Sequence, residues 1–343
     1  MRVKVKDIAK AAGVSPSTVS LVLNNRPSRI TEETKENILR IAREMRFQLE
    51  MGSDFAEIKK AGVLGMVVPD RGNPFFSHLA GEVSRCAYEQ GYIVHQCTTG
   101  DDVQHFYSAL GSLITRNVDA LIVIPPRTMN KENVKALKSF QKSGPPIVLL
   151  DRAAYSVFCD FVTADNKYGG RIATEYLISH GHTKIGCIIG EENIYTARKR
   201  LNGYCEALSA AGISYNNELV HYGHYDIESG RKGAELLLAQ GATAIMAGND
   251  LMAYGVYLYA EEHGLSIPAD LSVIGYDNTA LCDLMKVPLT SVDQNSDMMA
   301  SKVIEVLTER LAQTEIDEPM PYRNYYFTPS IVERKSVKDK QIN

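Results

Sequence analysis

Polar residues recur just after short apolar runs: Asp70 follows VVP, Asp151 follows VLL, Asn249 and Asp250 follow AIMAG, and Asp277 follows VIGY. Arg200 lies near the start of a helical pattern behind KIGCIIG. Carboxylates and a forked guanidinium can grip vicinal hydroxyls or an acidic group through charge-assisted hydrogen bonds. Phe75, Phe76 and Tyr225 offer aromatic faces for the apolar side of a ring. Together the set fits reversible binding of a small polar molecule, although each member alone is explained as well by a helix cap, a loop or the core. Motifs for bond-making chemistry are missing. There is no GxxxxGK[ST] phosphate loop, no HExxH and no GxSxG. His180 and His182 in SHGHTKIG have no Cys or carboxylate at ligand spacing and read as a helix-to-strand turn. No catalytic activity, metal or cofactor is expected.

These residues need elements to hold them. The apolar runs VLGMVV (63–68), IVHQC (93–97), ALIVI (120–124), PIVLL (146–150), KIGCII (184–189), AIMAG (244–248) and LSVIGY (271–276) are strand-like. Between them lie amphipathic stretches such as 77–90, 168–180, 198–211 and 251–263. Alternation of this kind predicts parallel, doubly wound α/β sheets with helices on both faces. So many repeats over residues 61–335 predict two lobes. Ligands of such sheets bind outside the carboxyl ends of the strands, which is where the polar residues fall.

A second cluster sits near the N-terminus. Val5, Ile8, Ala9 and Ala12 form one helical stripe, and Gly13 supplies a left-handed stop. Ser15 suits an N-cap, Pro16 suits the first turn of a second helix, and Val19, Val22 and Leu23 form its apolar side. A third helix opens at Thr31 with Glu32 and Glu33 at its positive end, and buries Ile38, Ile41, Ala42 and Met45. Two short helices around a glycine turn are a helix-turn-helix unit. The outer face of the second helix carries Pro16, Ser17, Thr18, Ser20, Leu21 and Asn24. Small hydroxyl and amide side chains let a helix enter the major groove and bond phosphates or base edges. They are also ordinary residues for a capped surface helix.

Charge separates the two regions. Residues 1–46 hold ten Lys/Arg and five Asp/Glu, a net of +5, while the remaining 27 Lys/Arg and 36 Asp/Glu leave −9. A basic head on an acidic body points the head alone at a polyanion; Lys6 and Arg29 join its candidate DNA contacts. MRVKVKDIAKAAG has no apolar run behind its charges, and no stretch approaches the ~20 apolar residues of a membrane span. The six cysteines occur singly. A cytoplasmic location with free thiols and no membrane is expected.

The run VKDIAKAAGVSPSTVSLVLNNRPSRITEETKENILRIAREMRF resembles the N-terminal signature of the LacI/GalR family of bacterial regulators, with AxxAGVSxxTVSxxLN ungapped from Ala9 to Asn24. The resemblance continues through VVPDRGNPFF, ADNKYGGRIATEYLISHGHTKIG, AGNDLMAYGV, SVIGYDN and PLTSVDQN. It implies an all-α helix-turn-helix domain (1–47), a hinge or linker (48–60), a two-lobed periplasmic-binding-protein-like core (61–335) and a tail (336–343). It also implies a homodimer on a near-palindromic operator in double-stranded DNA, with a small effector, by expectation a sugar, between the lobes. Arg200, Asn249, Asp277, Tyr225 and Gln294 match the effector-contacting positions. Two departures stand out. Leu21 replaces a basic residue that can read guanine, leaving only apolar contacts such as a thymine methyl. In the linker, Ala56 stands near the position of a leucine wedge, and Glu50, Asp54 and Glu57 oppose phosphates. The competing class is a sugar-processing enzyme or a transport binding protein on the same core. The first needs a nucleophile or acid/base constellation and the second an export signal, and neither is found.

Overall fold

The computed structural model describes residues 4–23, 30–44, 62–143, 145–154, 157–313 and 320–338. The chain divides into two compact units, Met1–Lys60 and Ala61–Asn343.

The first unit holds α1 (Val5–Ala12), α2 (Pro16–Leu23) and α3 (Glu32–Glu44). Ile8, Ala9, Val19, Val22, Ile38, Ile41 and Ala42 form its buried core. Gly13 ends α1 at φ 68°, and Ser15 Oγ accepts the Thr18 N–H at the start of α2. Met45, Asn24, Arg29 and the whole 48–60 linker lie outside the described residues.

The second unit contains two lobes. Lobe 1 is built from β1 (Gly62–Val68), α4 (Pro74–Glu89), β2 (Tyr92–Thr98), α5 (Val103–Thr115), β3 (Ala120–Val123), α6 (Lys131–Ser143), β4 (Ile147–Leu150) and β5 (Asp160–Ala164). Lobe 2 follows with α7 (Asn166–Ser179), β6 (Ile185–Ile189), α8 (Tyr195–Ala210), β7 (Val220–Tyr222), α9 (Ile227–Ala239), β8 (Ala244–Ala247), α10 (Asp250–Glu262), β9 (Ser272–Tyr276), α11 (Leu281–Leu284) and β10 (Thr290–Asp293). The chain then returns to lobe 1 as α12 (Ser296–Ala312) and β11 (Asn324–Phe327), and crosses once more to β12 (Ser330–Val332).

The sheet orders are β11-β5-β4-β3-β1-β2 and β12-β10-β9-β8-β6-β7. Among the described strands every pair is parallel except β10 with β12. Each sheet buries both faces: in lobe 1, α4 and α12 cover one and α5 and α6 the other. The two-lobed α/β expectation is met. Strands β5, β7, β10, β11 and β12 carried no apolar run to announce them. Asp160 opens β5 fully buried, held by Arg310 at 2.8 and 3.0 Å across 150 positions. The core also runs past residue 335. Ser336, placed in the tail from sequence, is buried, donating to the Val273 carbonyl (2.6 Å) and accepting from the Thr290 N–H (2.8 Å).

Candidate functional site

Among the described residues three crossovers join the lobes: β5 to α7, β10 to α12, and β11 to β12. Strand ends of both sheets face the cleft between them. Its lining is Asn73, Phe75, Phe76, Asp151 and Arg152 from lobe 1, with Thr196, Arg200, Tyr225, Asn249, Asp277 and Gln294 from or bordering lobe 2. The cavity is about 20 Å³. That is room for little more than one water, so a larger ligand enters only if the lobes part.

Arg200 is placed by helix packing. A Cβ at Gly170 would collide with the Arg200 carbonyl, and one at Gly203 with the Lys167 carbonyl. Only glycine at both positions lets α7 and α8 approach this closely. Arg200 is then buried, with Nε donating to Asn166 Oδ1 at 2.7 Å and Nη1 to the Gly248 carbonyl. Its guanidinium lies 3.6 Å from the Tyr276 ring centroid and 3.9 Å from Asp277 Oδ1. Asn249 caps α10 by accepting the Met252 N–H (2.9 Å), and its amide donates to the Tyr225 carbonyl (3.1 Å).

Asp277 stands on a left-handed backbone (φ 107°), as does Asn278 (φ 51°). Buried Asp250 ties this turn down: Oδ2 accepts the Thr279 N–H (2.7 Å) and hydroxyl (2.9 Å), and Oδ1 accepts the Ser291 hydroxyl (2.7 Å). Asp250 therefore sits beneath the site and does not line it. Gln294 Nε2 donates to Asp277 Oδ1 at 2.7 Å. Burial pushes the carboxyls of Asp151 and Asp277 above the usual carboxylate range, against the pull of nearby arginines. Asp151 Oδ1 and Gln294 Oε1 are buried acceptors without a protein donor.

Eight effector candidates, Phe75, Phe76, Asp151, Arg200, Tyr225, Asn249, Asp277 and Gln294, therefore line one cleft. Asp70 does not. Its Oδ1 accepts the Gly72 N–H at 2.7 Å, which makes it a turn residue of the β1–α4 loop. In the first unit, Lys6, Pro16, Ser17 and Ser20 are exposed, and Thr18 and Leu21 are half-buried. Ser15 Oγ lies 2.7 Å from Ser17 Oγ and 2.8 Å from Thr18 Oγ1, so the hydroxyls at the start of α2 are already ordered. That helix end can present bonds to phosphates or base edges.

Residues 4–48 match the family described as bacterial regulatory proteins, lacI family, and residues 174–337 match the periplasmic binding protein-like domain. The HTH-type transcriptional repressor PurR of Aliivibrio salmonicida (strain LFI1238) is 31% identical over 97% of this chain and 98% of its own. The chain belongs to the lacI family of bacterial regulatory proteins. The ribose operon repressor of Escherichia coli (strain K12) is also 31% identical, over 97% of this chain and 99% of that protein. A solved LacI family transcriptional regulator from Enterococcus faecium with bound ribose is 28% identical, covers 81% of this chain and 99% of that one, and superposes with a TM-score of 0.71.

As a lacI-family member the chain is a DNA-binding transcription regulator with a ligand-sensing core, and its relatives are regulators, not enzymes. Among the described residues no group of His, Cys, Asp or Glu could hold a metal ion, and no helix is long and apolar enough to cross a membrane. Sequence reasoning missed three lining residues. Asn73 was visible in VVPDRGNPFF, where it caps α4 by accepting the Phe75 N–H (3.0 Å). Arg152 follows Asp151 directly, and Thr196 lies in the first turn of α8 without any motif.

Proposed function

We propose that the chain is a cytoplasmic homodimeric repressor that binds a near-palindromic operator and is controlled by an unphosphorylated monosaccharide between its lobes. The observation that carries this reading is the surplus of buried acceptors. Asp151 Oδ1 and Gln294 Oε1 have no donor, and Asp277 adds a second carboxylate. Two of the three bonding nitrogens of Arg200 are already directed at protein oxygens. Arg152 is likewise engaged, with Asp101 at 2.6 Å and the Pro125 carbonyl at 3.2 Å. A ring of hydroxyls satisfies such a site, while a phosphate would need donors that Arg152 and Arg200 already direct at protein oxygens. Phe75, Phe76 and Tyr225 cover the apolar side of a sugar ring. The Enterococcus faecium regulator holds ribose, and the Escherichia coli relative is a ribose operon repressor by name, so ribose is the first probe.

The test is a thermal-shift and calorimetric series with ribose, other monosaccharides, sugar phosphates and nucleobases. Ligand at a hundredfold its Kd stabilises by about 2.7 kcal/mol. Shifts with monosaccharides support the reading, and shifts only with nucleobases or phosphorylated sugars overturn it. Gel shift with operator fragments, with and without the sugar, then gives the sign of regulation.

A further inference from the structure

Asp101 is neither in the cleft lining nor in any motif, yet it holds two arginines. It follows β2 on a left-handed backbone (φ 59°), and its N–H donates to the Pro69 carbonyl at 2.8 Å. Its Oδ1 accepts from Arg152 Nη1 at 2.6 Å and from the Arg127 backbone N–H at 3.0 Å. Its Oδ2 accepts from Arg127 Nε at 2.9 Å. Arg152 is the lobe 1 cation of the cleft, 5.0 Å from the Phe76 ring centroid. Arg127 reaches the other way: its Nη1 lies 3.5 Å from Glu191 Oε1 on lobe 2, and the same oxygen lies 2.8 Å from His224 Nδ1.

The position of this chain of charges gives it leverage. The crossovers attach at β5, β10, β11 and β12, on one side of each sheet. Asp101 follows the opposite edge strand β2, and Glu191 and His224 follow β6 and β7 at the matching edge of the other sheet. Contacts there act furthest from the hinges. Asp101, Arg127 and Arg152 are also largely shielded from water, so their attraction is screened less than that of a surface pair.

We propose that Asp101 is a positioning residue: it fixes Arg152 in the cleft and, through Arg127, latches lobe 1 to Glu191 of lobe 2. Ligand grip and lobe closure are then set by one carboxylate. The grip rests on the effector reading above, whereas the latch does not.

The test uses the full chain with fluorophores at Tyr107 and Tyr215, exposed on lobe 1 and lobe 2, reporting the distance between lobes by energy transfer. Without sugar, Arg127→Met and Glu191→Gln should each lower transfer, with no further fall in the double variant, because both break one contact. Asp101→Asn should lower it as much. Ribose affinity should fall about tenfold in Asp101→Asn, which releases both arginines, and less in Glu191→Gln, which leaves Arg152 held. Glu191 is half-buried in a loop after β6 and outside the hydrophobic core, so its variant tests the latch even where Asp101→Asn does not fold. Unchanged transfer in Arg127→Met and Glu191→Gln, or additive effects in the double variant, would overturn the proposal. A wild-type chain that ignores ribose would defeat the effector reading alone, since the latch stands or falls on transfer measured without sugar.

Discussion

The lobe 2 wall of the cleft is knitted to itself, whereas the lobe 1 wall sets two aromatic rings, Phe75 and Phe76, beside Asn73, Asp151 and Arg152. In lobe 2, Arg200 is bonded to Asn166 and the Gly248 carbonyl, Asn249 to the Tyr225 carbonyl, and Gln294 to Asp277. In lobe 1, Phe75 and Phe76 pack edge to face, 5.4 Å between centroids, and Arg152 is held from outside the cleft by Asp101. A wall whose polar groups are fixed during folding loses little freedom when a ligand arrives. If the cleft holds the proposed sugar, lobe 2 therefore supplies the prearranged polar contacts and lobe 1 the aromatic cover.

On this division, lobe 2 substitutions should cost the most. Arg200→Ala removes the one guanidinium nitrogen left for a ligand, a charge-assisted bond worth about 1.5–3 kcal/mol, so ribose affinity should fall by up to about a hundredfold in calorimetry. The melting temperature should also fall, because the Asn166 and Gly248 oxygens lose their donor. Operator binding without ligand should persist in a gel shift. Retained sugar affinity in this variant would break the comparison.

Asp277→Asn separates binding from stability. Folding raises the Asp277 pKa, mainly by burial. In the pH window between the unfolded and the raised folded value, the folded state holds a proton that the unfolded chain has released. The stability contribution therefore falls as pH rises through that window. Asp277→Asn should flatten this slope and leave the ligand-free protein no less stable near neutral pH, while sugar affinity drops about tenfold. Urea titrations across the pH range, paired with calorimetry, check both. A variant that is destabilised and still binds sugar would contradict the account.

Lobe 1 should respond more mildly. Phe76→Leu keeps apolar volume and loses only the aromatic face, worth about 0.5–1.5 kcal/mol. Ribose affinity should weaken by less than in either lobe 2 variant. The smallest effect on the cleft should come from the other unit. Leu21→Arg should leave sugar affinity unchanged and alter base preference, by about 1–3 kcal/mol at one or two operator positions. Competition gel shifts would detect this, and uniform weakening over all sequences would mean that Leu21 does not face bases.

Much of this was legible without coordinates, for reasons that differ by region. The first unit draws its core from residues 8 to 42, so helical period, the Gly13 stop and the Ser15 cap suffice to outline it. Most strands that could be read were buried on both faces, such as β3 and β4, whose residues are all apolar; the exposed edge β2 was read as well, and β5, buried but carrying Asp160 and Thr163, was not. Polar residues after such strands had to fall at the cleft side of a parallel sheet. Edge strands β7, β11 and β12 are short and half exposed, so no pattern marked them.

What only the tertiary structure decided is how the polar residues divide their work. Asp70, Asp151, Asp250 and Asp277 look alike in the chain, each following an apolar run. Asp70 closes a turn, Asp250 is buried beneath a loop, and Asp151 and Asp277 face the cleft. Their partners (Gly72 for Asp70, Thr279 and Ser291 for Asp250, Gln294 for Asp277) stand from 2 to 41 positions away. A carboxylate's role follows from its donors and its access to water, and at those separations the fold supplies both.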